Sequence, residues 1–194
     1  MIPKNLLATK PLLNTTDMKS RGFTLVELLV TIAIISILSA VVILIVNPME
    51  LLRRSRDVTR LKDLDNLQQA INIAMQDAVT SEKDVLCNGA DFPCSGKSGG
   101  NGAGTRVSDG TGWVKVNLSA QKAVSLPTLP VDPVNDLVYH YTYCADTIGW
   151  EINTTLESDQ LSYKMAADGG NEADKYEVGS NYLLLASGSG VCEF

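Results

Sequence analysis

The stretch that decides the fold is K-S-R-G-F-T-L-V-E-L-L-V-T-I-A-I-I-S-I-L-S-A-V-V-I-L-I-V-N-P, residues 19–48. Two basic residues, Lys19 and Arg21, precede a glycine, and residues 23–46 then form a run of 24 residues with one charge, Glu27. A helix of that length rises about 36 Å, and the hydrocarbon core of a bilayer is about 30 Å thick. The sequence therefore predicts a transmembrane helix over residues 23–46.

Glu27 is the unusual residue of this helix, because it lies four residues into an otherwise apolar run. A carboxylate costs roughly 2.5–3.5 kcal/mol at the centre of a membrane helix, and less near its edge. Such a charge needs a partner, which makes Glu27 a candidate functional residue.

Residues 22–27, G-F-T-L-V-E, followed by the long apolar run, resemble the processing site of type IV prepilins and of the pseudopilins of type II secretion. The resemblance implies that a prepilin peptidase cuts after Gly22 and that the new N-terminal residue, Phe23, is N-methylated. It implies that Glu27 neutralises the N-terminal ammonium of a neighbouring subunit. The expected partners are further copies and other pilin-like subunits in a helical filament, the peptidase, an inner-membrane assembly platform and membrane lipid.

Residues 1–22 are interpreted as the prepilin leader. An ordinary secretory signal would place an A-x-A-like cleavage site after the apolar run, and none is evident after Ala40. A plain signal anchor remains the alternative.

Charge does not orient the membrane segment. The leader carries four cations and one anion, and residues 47–62 carry five cations and two anions, so both flanks have a net charge of +3 and the positive-inside rule gives a tie. The resemblance places the leader in the cytoplasm and the C-terminal head outside it, in the periplasm or on a surface filament after assembly. Without the leader the net charge is −9, which argues against nucleic-acid binding by the bulk of the surface.

The cysteines agree with that orientation, because disulfides form outside the cytosol. There are four, with one histidine and no C-x-x-C pair, which argues against a zinc site. We expect Cys87 to pair with Cys94 across a short loop and Cys144 to pair with Cys192, although the sequence alone allows three pairings.

Asn47-Pro48 is expected to end or kink the helix, since proline lacks an amide donor. Many relatives of this class have a proline about four residues earlier, where this chain has Leu44. A helical period then resumes and predicts an amphipathic helix over residues 47–80. We expect residues 64–78 to bury their apolar stripe under the chain's own head, and residues 51–61 to pack on neighbouring subunits.

A basic cluster lies in the first half of this helix. Its members are Arg53, Arg54, Arg56, Arg60 and Lys62, against Glu50 and Asp57. Two interpretations stand equally: the cations reach lipid headgroups at the membrane exit, or they pair with acidic heads of neighbouring subunits.

The remainder, residues 81–194, is predicted to be a globular, β-rich head. Residues 81–112 are expected to be loop, because seven glycines fall between Gly96 and Gly112. The Gly96-Lys97-Ser98 sequence is not a phosphate loop, since Asp91 occupies the first glycine position. Short strands are predicted over residues 113–117, 137–144, 148–155, 161–166 and 182–186, and a turn of helix over residues 119–124. The expected fold is α+β: a long N-terminal helix packed on a small antiparallel sheet.

The head also resembles that of major pseudopilins, in L-P-V-D-P-V-N-D (residues 129–136), W-E-I-N-T-T-L-E-S (150–158) and D-G-G-N-E-A-D-K-Y-E-V-G-S (168–180). With residues 22–79 the resemblance covers most of the chain and leaves out the glycine-rich loop. It implies a structural calcium ion held by Asp168, Asn171 and Asp174; a solvated acidic turn is the alternative.

No catalytic constellation is present in the sequence. His140 stands alone on a predicted strand, without a placed nucleophile or carboxylate, so it is expected to be structural and the protein is not expected to be an enzyme. We therefore expect a type II secretion pseudopilin that builds a short periplasmic filament. The alternatives are a type IV pilin of a surface pilus for adhesion, motility or DNA uptake, and a membrane-anchored binding domain that does not polymerise.

Overall fold

The computed structural model describes residues 22–119, 126–185 and 192, the side chains of residues 44 and 46 excepted. The chain divides into two compact units, Met1–Val46 and Asn47–Phe194. The helices are α1 (Leu25–Val46), α2 (Pro48–Asp77) and α3 (Glu82–Leu86), and the strands are β1 (Cys94–Lys97), β2 (Thr142–Asp146), β3 (Gly149–Thr154) and β4 (Tyr176–Gly179). A 3-10 turn spans Ser162–Lys164.

The break between α1 and α2 lies where Asn47-Pro48 predicts it. Asn47 takes a left-handed conformation with φ 43°, and its side chain accepts the N–H of Glu50 at 3.4 Å. Pro48 occupies the first helical position, where a missing amide hydrogen costs nothing. Asn47 therefore ends one helix and caps the next.

The four strands form one antiparallel sheet in the order β1-β2-β3-β4. Tyr143 on β2 pairs with Ile152 on β3, which pairs with Val178 on β4. The tight β2–β3 turn is closed by the Asp146 carboxylate, which accepts the N–H of Ile148 at 2.8 Å. Together with the N-terminal helices, this sheet confirms the α+β prediction.

The C-terminal half of α2 forms one side of the hydrophobic core. Leu64, Leu67, Ile71 and Ala74 are buried there, as the helical period predicts. They join a cluster whose largest fully buried members from the rest of the head are Trp113, Trp150, Tyr141, Tyr143, Leu86, Leu118, Leu129 and Ile152. The predicted burial of α2 under its own head is confirmed.

The predicted strand over residues 113–117 is wrong. Trp113 is buried, its backbone N–H bonds the Thr105 carbonyl at 3.0 Å, and its indole N–H bonds the Pro130 carbonyl at 3.0 Å. In this segment only Asn117 makes a β-bridge, to Asp109. The apolar side chains of this segment are thus buried among loops, and the segment does not pair as a strand.

Other strand predictions need correction. The strand predicted over residues 137–144 begins only at Thr142, residues 161–166 hold the 3-10 turn, and residues 182–185 form a turn in which the Asn181 side chain accepts the N–H of Leu183. The strand predicted over residues 148–155 is confirmed as β3. In the helical turn predicted over residues 119–124, only residue 119 lies within the described residues.

The expected 81–112 loop contains α3 and β1. A side chain at Gly96 on β1 would lie 2.2 Å from the Trp113 carbonyl oxygen, so only glycine permits this close approach. The sequence prediction also missed β4, between the predicted calcium residues and the C terminus.

Candidate functional site

The predicted processing residues lie just before α1, and the predicted assembly residue lies in its first turn. Thr24 caps the helix: its hydroxyl accepts the N–H of Glu27 at 3.2 Å, and its carbonyl accepts the N–H of Leu28 at 3.1 Å. Glu27 is therefore in the first turn of α1, where the positive end of the helix dipole favours a carboxylate. The T-x-x-E spacing of a capping box was present in the sequence and its significance was missed.

Gly22 lies just before this cap. A Cβ atom built on Gly22 would meet nothing within 4 Å. Phe23 is 73% exposed. Among the described residues, no contact requires glycine or phenylalanine at these two positions.

Helix α1 presents an apolar surface all round. Over Leu25–Ile43 it is long and apolar enough to cross a membrane by length and composition, and none of that stretch is buried within the protein. Two of its hydroxyls bond its own backbone: Thr31 donates to the Leu28 carbonyl at 2.8 Å and Ser36 to the Ile32 carbonyl at 2.7 Å. Both hydroxyls are therefore satisfied without water, as a lipid environment requires.

A buried ion cluster lies where α2 meets the head. Arg60 is fully buried and pairs with Asp132 through two bonds, Nε to Oδ2 at 2.6 Å and Nη2 to Oδ1 at 2.8 Å. Its Nη1 also lies 2.8 Å from Asp57 Oδ1 and 2.6 Å from Glu157 Oε1. Burial alone lowers the pKa of Arg60, but the bonds to these carboxylates outweigh it and raise the pKa.

The same cluster fixes the segment after β3. Both oxygens of Asp57 accept backbone N–H groups, those of Glu157 at 2.9 Å and Ser158 at 2.7 Å. Arg56 reaches Glu157 through two bonds, one of them from Nε to Oε1 at 2.8 Å. The cluster therefore has a structural role within one subunit.

This geometry corrects the interpretation of the basic cluster. Arg56 and Arg60 face the chain's own carboxylates, so neither lipid headgroups nor neighbouring heads are needed to explain them. Arg53, Arg54 and Lys62 are exposed. Of these, Arg53 has Glu50 at 3.9 Å, and Arg54 has no ion pair among the described residues. The two interpretations now apply to these three exposed cations only.

The predicted calcium residues lie before β4. Both oxygens of Asp168 accept backbone N–H groups, from Gly170 at 2.9 Å and Glu177 at 2.8 Å. The Asn171 amide, in the orientation that satisfies its neighbours, donates to Glu177 Oε1 at 3.0 Å, and Asp174 is exposed. Across the described residues, no group of three or more His, Cys, Asp or Glu side chains is placed to hold a metal ion. Calcium binding stays a prediction.

A pair of buried carboxyl groups, which the sequence analysis missed, lies beside this loop. Glu151 on β3 is fully buried, and its Oε2 accepts the N–H groups of Leu184 at 2.9 Å and Leu185 at 3.0 Å. Glu177 on β4 is 2% exposed and is hydrogen-bonded to Glu151. Burial first, and Glu151 second, raise the pKa of Glu177 to about 8, and burial also raises the pKa of Glu151. The pair therefore holds a proton at neutral pH.

The four cysteines form two disulfides, Cys87–Cys94 and Cys144–Cys192. The second joins the central strand β2 to the C-terminal segment, where Cys144, Cys192, Leu184 and Leu185 form a small buried cluster. The Cys144–Cys192 disulfide and the Glu151 carboxylate thus both hold the C-terminal segment against the sheet.

His140 is half-buried, with Nδ1 3.2 Å from the Asp136 carbonyl oxygen. Burial lowers its pKa, so the ring is neutral at physiological pH. No nucleophile is hydrogen-bonded to it among the described residues. Its structural role stays an expectation.

Comparison with known proteins gives one match. A family model described as the prokaryotic N-terminal methylation motif matches residues 17–43. A search of curated proteins and a search of solved structures found no significant match. The matched segment contains Gly22, Phe23, Thr24 and Glu27 and most of α1. It supports the pilin and pseudopilin class, with the peptidase processing, membrane anchoring and pilin-like assembly that such a motif implies. It does not separate a secretion pseudopilin from a surface pilin.

Proposed function

We propose that this chain, which carries the N-terminal methylation motif of type IV pilin-like proteins, is a filament subunit and, more specifically, a pseudopilin of type II secretion. The observation that carries the proposal is the match over residues 17–43, with Gly22, Phe23 and Glu27 in register before an exposed apolar helix. The likeness of residues 129–136, 150–158 and 168–180 to major pseudopilin heads supports the narrower assignment.

Processing is the first step of the proposed mechanism. Water is added across the Gly22–Phe23 peptide bond by the prepilin peptidase, which leaves a carboxylate on Gly22 and an ammonium on Phe23. Both residues lie outside helix α1 and are exposed, so the bond is accessible to an enzyme without unfolding of the chain.

Assembly is the second step. Apolar side chains gain little when they leave lipid for a bundle of helices, so packing and polar contacts must supply the stabilisation. Glu27 would form such a contact by pairing with the Phe23 ammonium of a neighbouring copy. Within one chain the helix dipole already favours the carboxylate, so Glu27 is tolerable in the membrane before that partner arrives.

The proposal is tested with two variants in the native host. Gly22→Ser is expected to block cleavage, so that the protein accumulates with its leader attached. Glu27→Ala is expected to be processed normally and to form no filament. Asp65→Ala, which removes an exposed carboxylate of helix α2 beyond the membrane segment, serves as the matched control. Normal filament yield from Glu27→Ala would contradict the proposed assembly role.

The second candidate is a true type IV pilin of a surface pilus. It is favoured by the Cys144–Cys192 disulfide, which secures the C-terminal segment of a head that has to survive outside the cell. Imaging of sheared cell-surface material from cells with and without the gene separates the two. Long fibres that depend on the gene indicate a pilin, and their absence alongside a loss of protein secretion indicates a pseudopilin.

A further inference from the structure

The outer side of α2 carries a stripe that has no partner among the described residues of its own chain. We call Leu51, Arg54, Val58 and Lys62 the outer stripe. At about 100° per residue these four positions lie on the side of the helix opposite the buried Arg60. Leu51 is 50% and Val58 53% exposed, and Arg54 makes no ion pair within the described residues. The stripe is therefore an apolar surface with basic edges, turned away from the head.

A second apolar surface lies on the head. The apolar loop, residues 133–138, exposes three aliphatic side chains, with Val134 40%, Leu137 68% and Val138 58% exposed. Side chains at the loop's start and middle hold its backbone. Asp132 Oδ1 accepts the N–H of Val134 at 2.8 Å, and Asp136 Oδ1 accepts the N–H of Val138 at 2.8 Å.

The glycine-rich segment is hydrogen-bonded to the apolar loop through Ser98. Asn135 donates to the Ser98 carbonyl at 3.0 Å, and the Ser98 hydroxyl donates to Asn135 Oδ1 at 2.9 Å. Because its backbone is fixed from both sides, the loop presents its aliphatic side chains in one arrangement and loses little conformational entropy on binding.

The loop and the stripe lie on opposite sides of the same helix. Arg60 binds Asp132 at the start of the loop, and its guanidinium lies 5.0 Å from the centre of the Tyr139 ring at the end of the loop. The loop therefore sits on the head side of α2, where Arg60 points. A chain cannot cover its own stripe with its own loop, so contact between the two surfaces requires two copies.

The two surfaces are complementary. Each presents aliphatic side chains, and their exposed charges are opposite in sign: Arg54 and Lys62 on the stripe and Asp136 on the loop. Backbone N–H groups of Tyr139 and Val138 lower the pKa of Asp136, so its carboxylate is ionised at neutral pH. An arginine opposite this carboxylate would fix the register of the contact.

We propose that the apolar loop of one subunit docks on the outer stripe of α2 in a second copy of this chain. The inference rests on the proposed filament function and names the surfaces that meet. Because the two surfaces differ, the contact is head-to-tail, and a displacement of each copy along the axis keeps it from closing into a ring, which generates an open filament. Arg60 marks the level of the loop, and the four stripe positions centre about four residues earlier, so neighbouring copies are offset by about 6 Å along α2.

Thiol cross-linking in the full-length protein tests the contact. All four native cysteines are in disulfides, so a short bismaleimide reacts only with introduced thiols. We expect the Val58→Cys/Leu137→Cys double variant to give a ladder of multimers in filament-producing cells. Co-expression of the two single variants should give dimers and nothing larger, and each single variant alone should give monomer.

Two controls make the result specific. Val58→Cys combined with Ile148→Cys, at an exposed turn on the β2–β3 connection, should give no ladder. Adding Glu27→Ala to the Val58→Cys/Leu137→Cys double variant should remove the ladder, because assembly is lost. Filaments without a ladder, or dimers from a single variant, would overturn the docking inference and leave the proposed function intact. If the unaltered chain forms no filament in its host, the proposed function fails and the inference fails with it.

Discussion

Arg60 and Asp132 are 72 residues apart in sequence and form a fully buried ion pair with two parallel hydrogen bonds, of 2.6 and 2.8 Å. Arg60 belongs to the helix that follows the membrane segment, and Asp132 immediately precedes the apolar loop and accepts the N–H of Val134. The pair therefore couples the position of the loop to the helix.

The first prediction concerns this pair. Asp132→Ala should lower the free energy of unfolding by about 3 to 5 kcal/mol, because it leaves part of a buried guanidinium without its partner. It should also release the apolar loop, which loses the Asp132 cap on Val134. The measurement is thermal or urea unfolding of the full chain in detergent, followed by circular dichroism.

Asp159→Ala is the matched control, since Asp159 is exposed and makes no ion pair among the described residues. It should unfold like the unaltered protein. Equal stability of Asp132→Ala and the control would mean that Asp57 and Glu157 suffice for Arg60, and the coupling of helix to loop would be wrong.

The second prediction ranks the two disulfides. Cys144–Cys192 spans 48 residues and Cys87–Cys94 spans 7. On chain entropy their losses should cost about 4 and about 2.5 kcal/mol respectively. Paired Cys→Ala variants, unfolded in denaturant, give the comparison. A greater loss from removal of Cys87–Cys94 would show that loop closure does not set the order.

The third prediction is a pH dependence of stability. Glu177 has a folded pKa of about 8, raised above its ordinary 4.5. Between those values the folded chain binds more protons than the unfolded chain, so the stability due to Glu177 is complete below pH 4.5 and is lost as pH rises toward 8. At about 1.4 kcal/mol for each pKa unit, we expect a fall of a few kcal/mol.

Glu177→Gln imitates the protonated side chain and should flatten this dependence, whereas Asp159→Asn should leave it unchanged. The measurement is the melting temperature from pH 5 to pH 9 in the presence of a chelator. A melting temperature of the unaltered chain that stays constant or rises over this interval would refute the shared proton.

The fourth prediction concerns calcium. If Asp168, Asn171 and Asp174 hold an ion, calcium should raise the melting temperature of the full chain, and EDTA should reverse the rise. The effect should be larger at pH 8 than at pH 5, because a cation and a proton compete near Glu177. Asp174→Asn should weaken the rise. Equal melting temperatures in calcium and in EDTA would contradict the site.

The structure of the N-terminal part of the chain, up to the end of α2, was predictable from local sequence. The 24-residue apolar run, the break at Asn47-Pro48 and the stripe from Leu64 to Ala74 each depend on residues close together in the chain. The pattern around Gly22 and Glu27 is likewise local. The helix cap at Thr24 was not predicted, although the T-x-x-E spacing of Thr24 and Glu27 is visible in the sequence.

The head was predicted less well because its structure depends on distant contacts. Residues 113–117 resemble a strand in sequence. Their apolar side chains are nevertheless buried among loops, without strand pairing. The β1 sequence C-S-G-K has little strand propensity, and it pairs with β2 where Gly96 fits against Trp113. The local sequence does not mark Glu151 as buried, and only the fold brings the C-terminal segment over it.

N-terminal sequencing of the protein purified from its host membrane shows whether Gly22 is the cleavage site of a filament subunit. We expect a mature chain that begins with methylated Phe23 in the unaltered protein, and an uncleaved chain in the Gly22→Ser variant. A mature protein that retains Met1, or one cut at any other position, would contradict it.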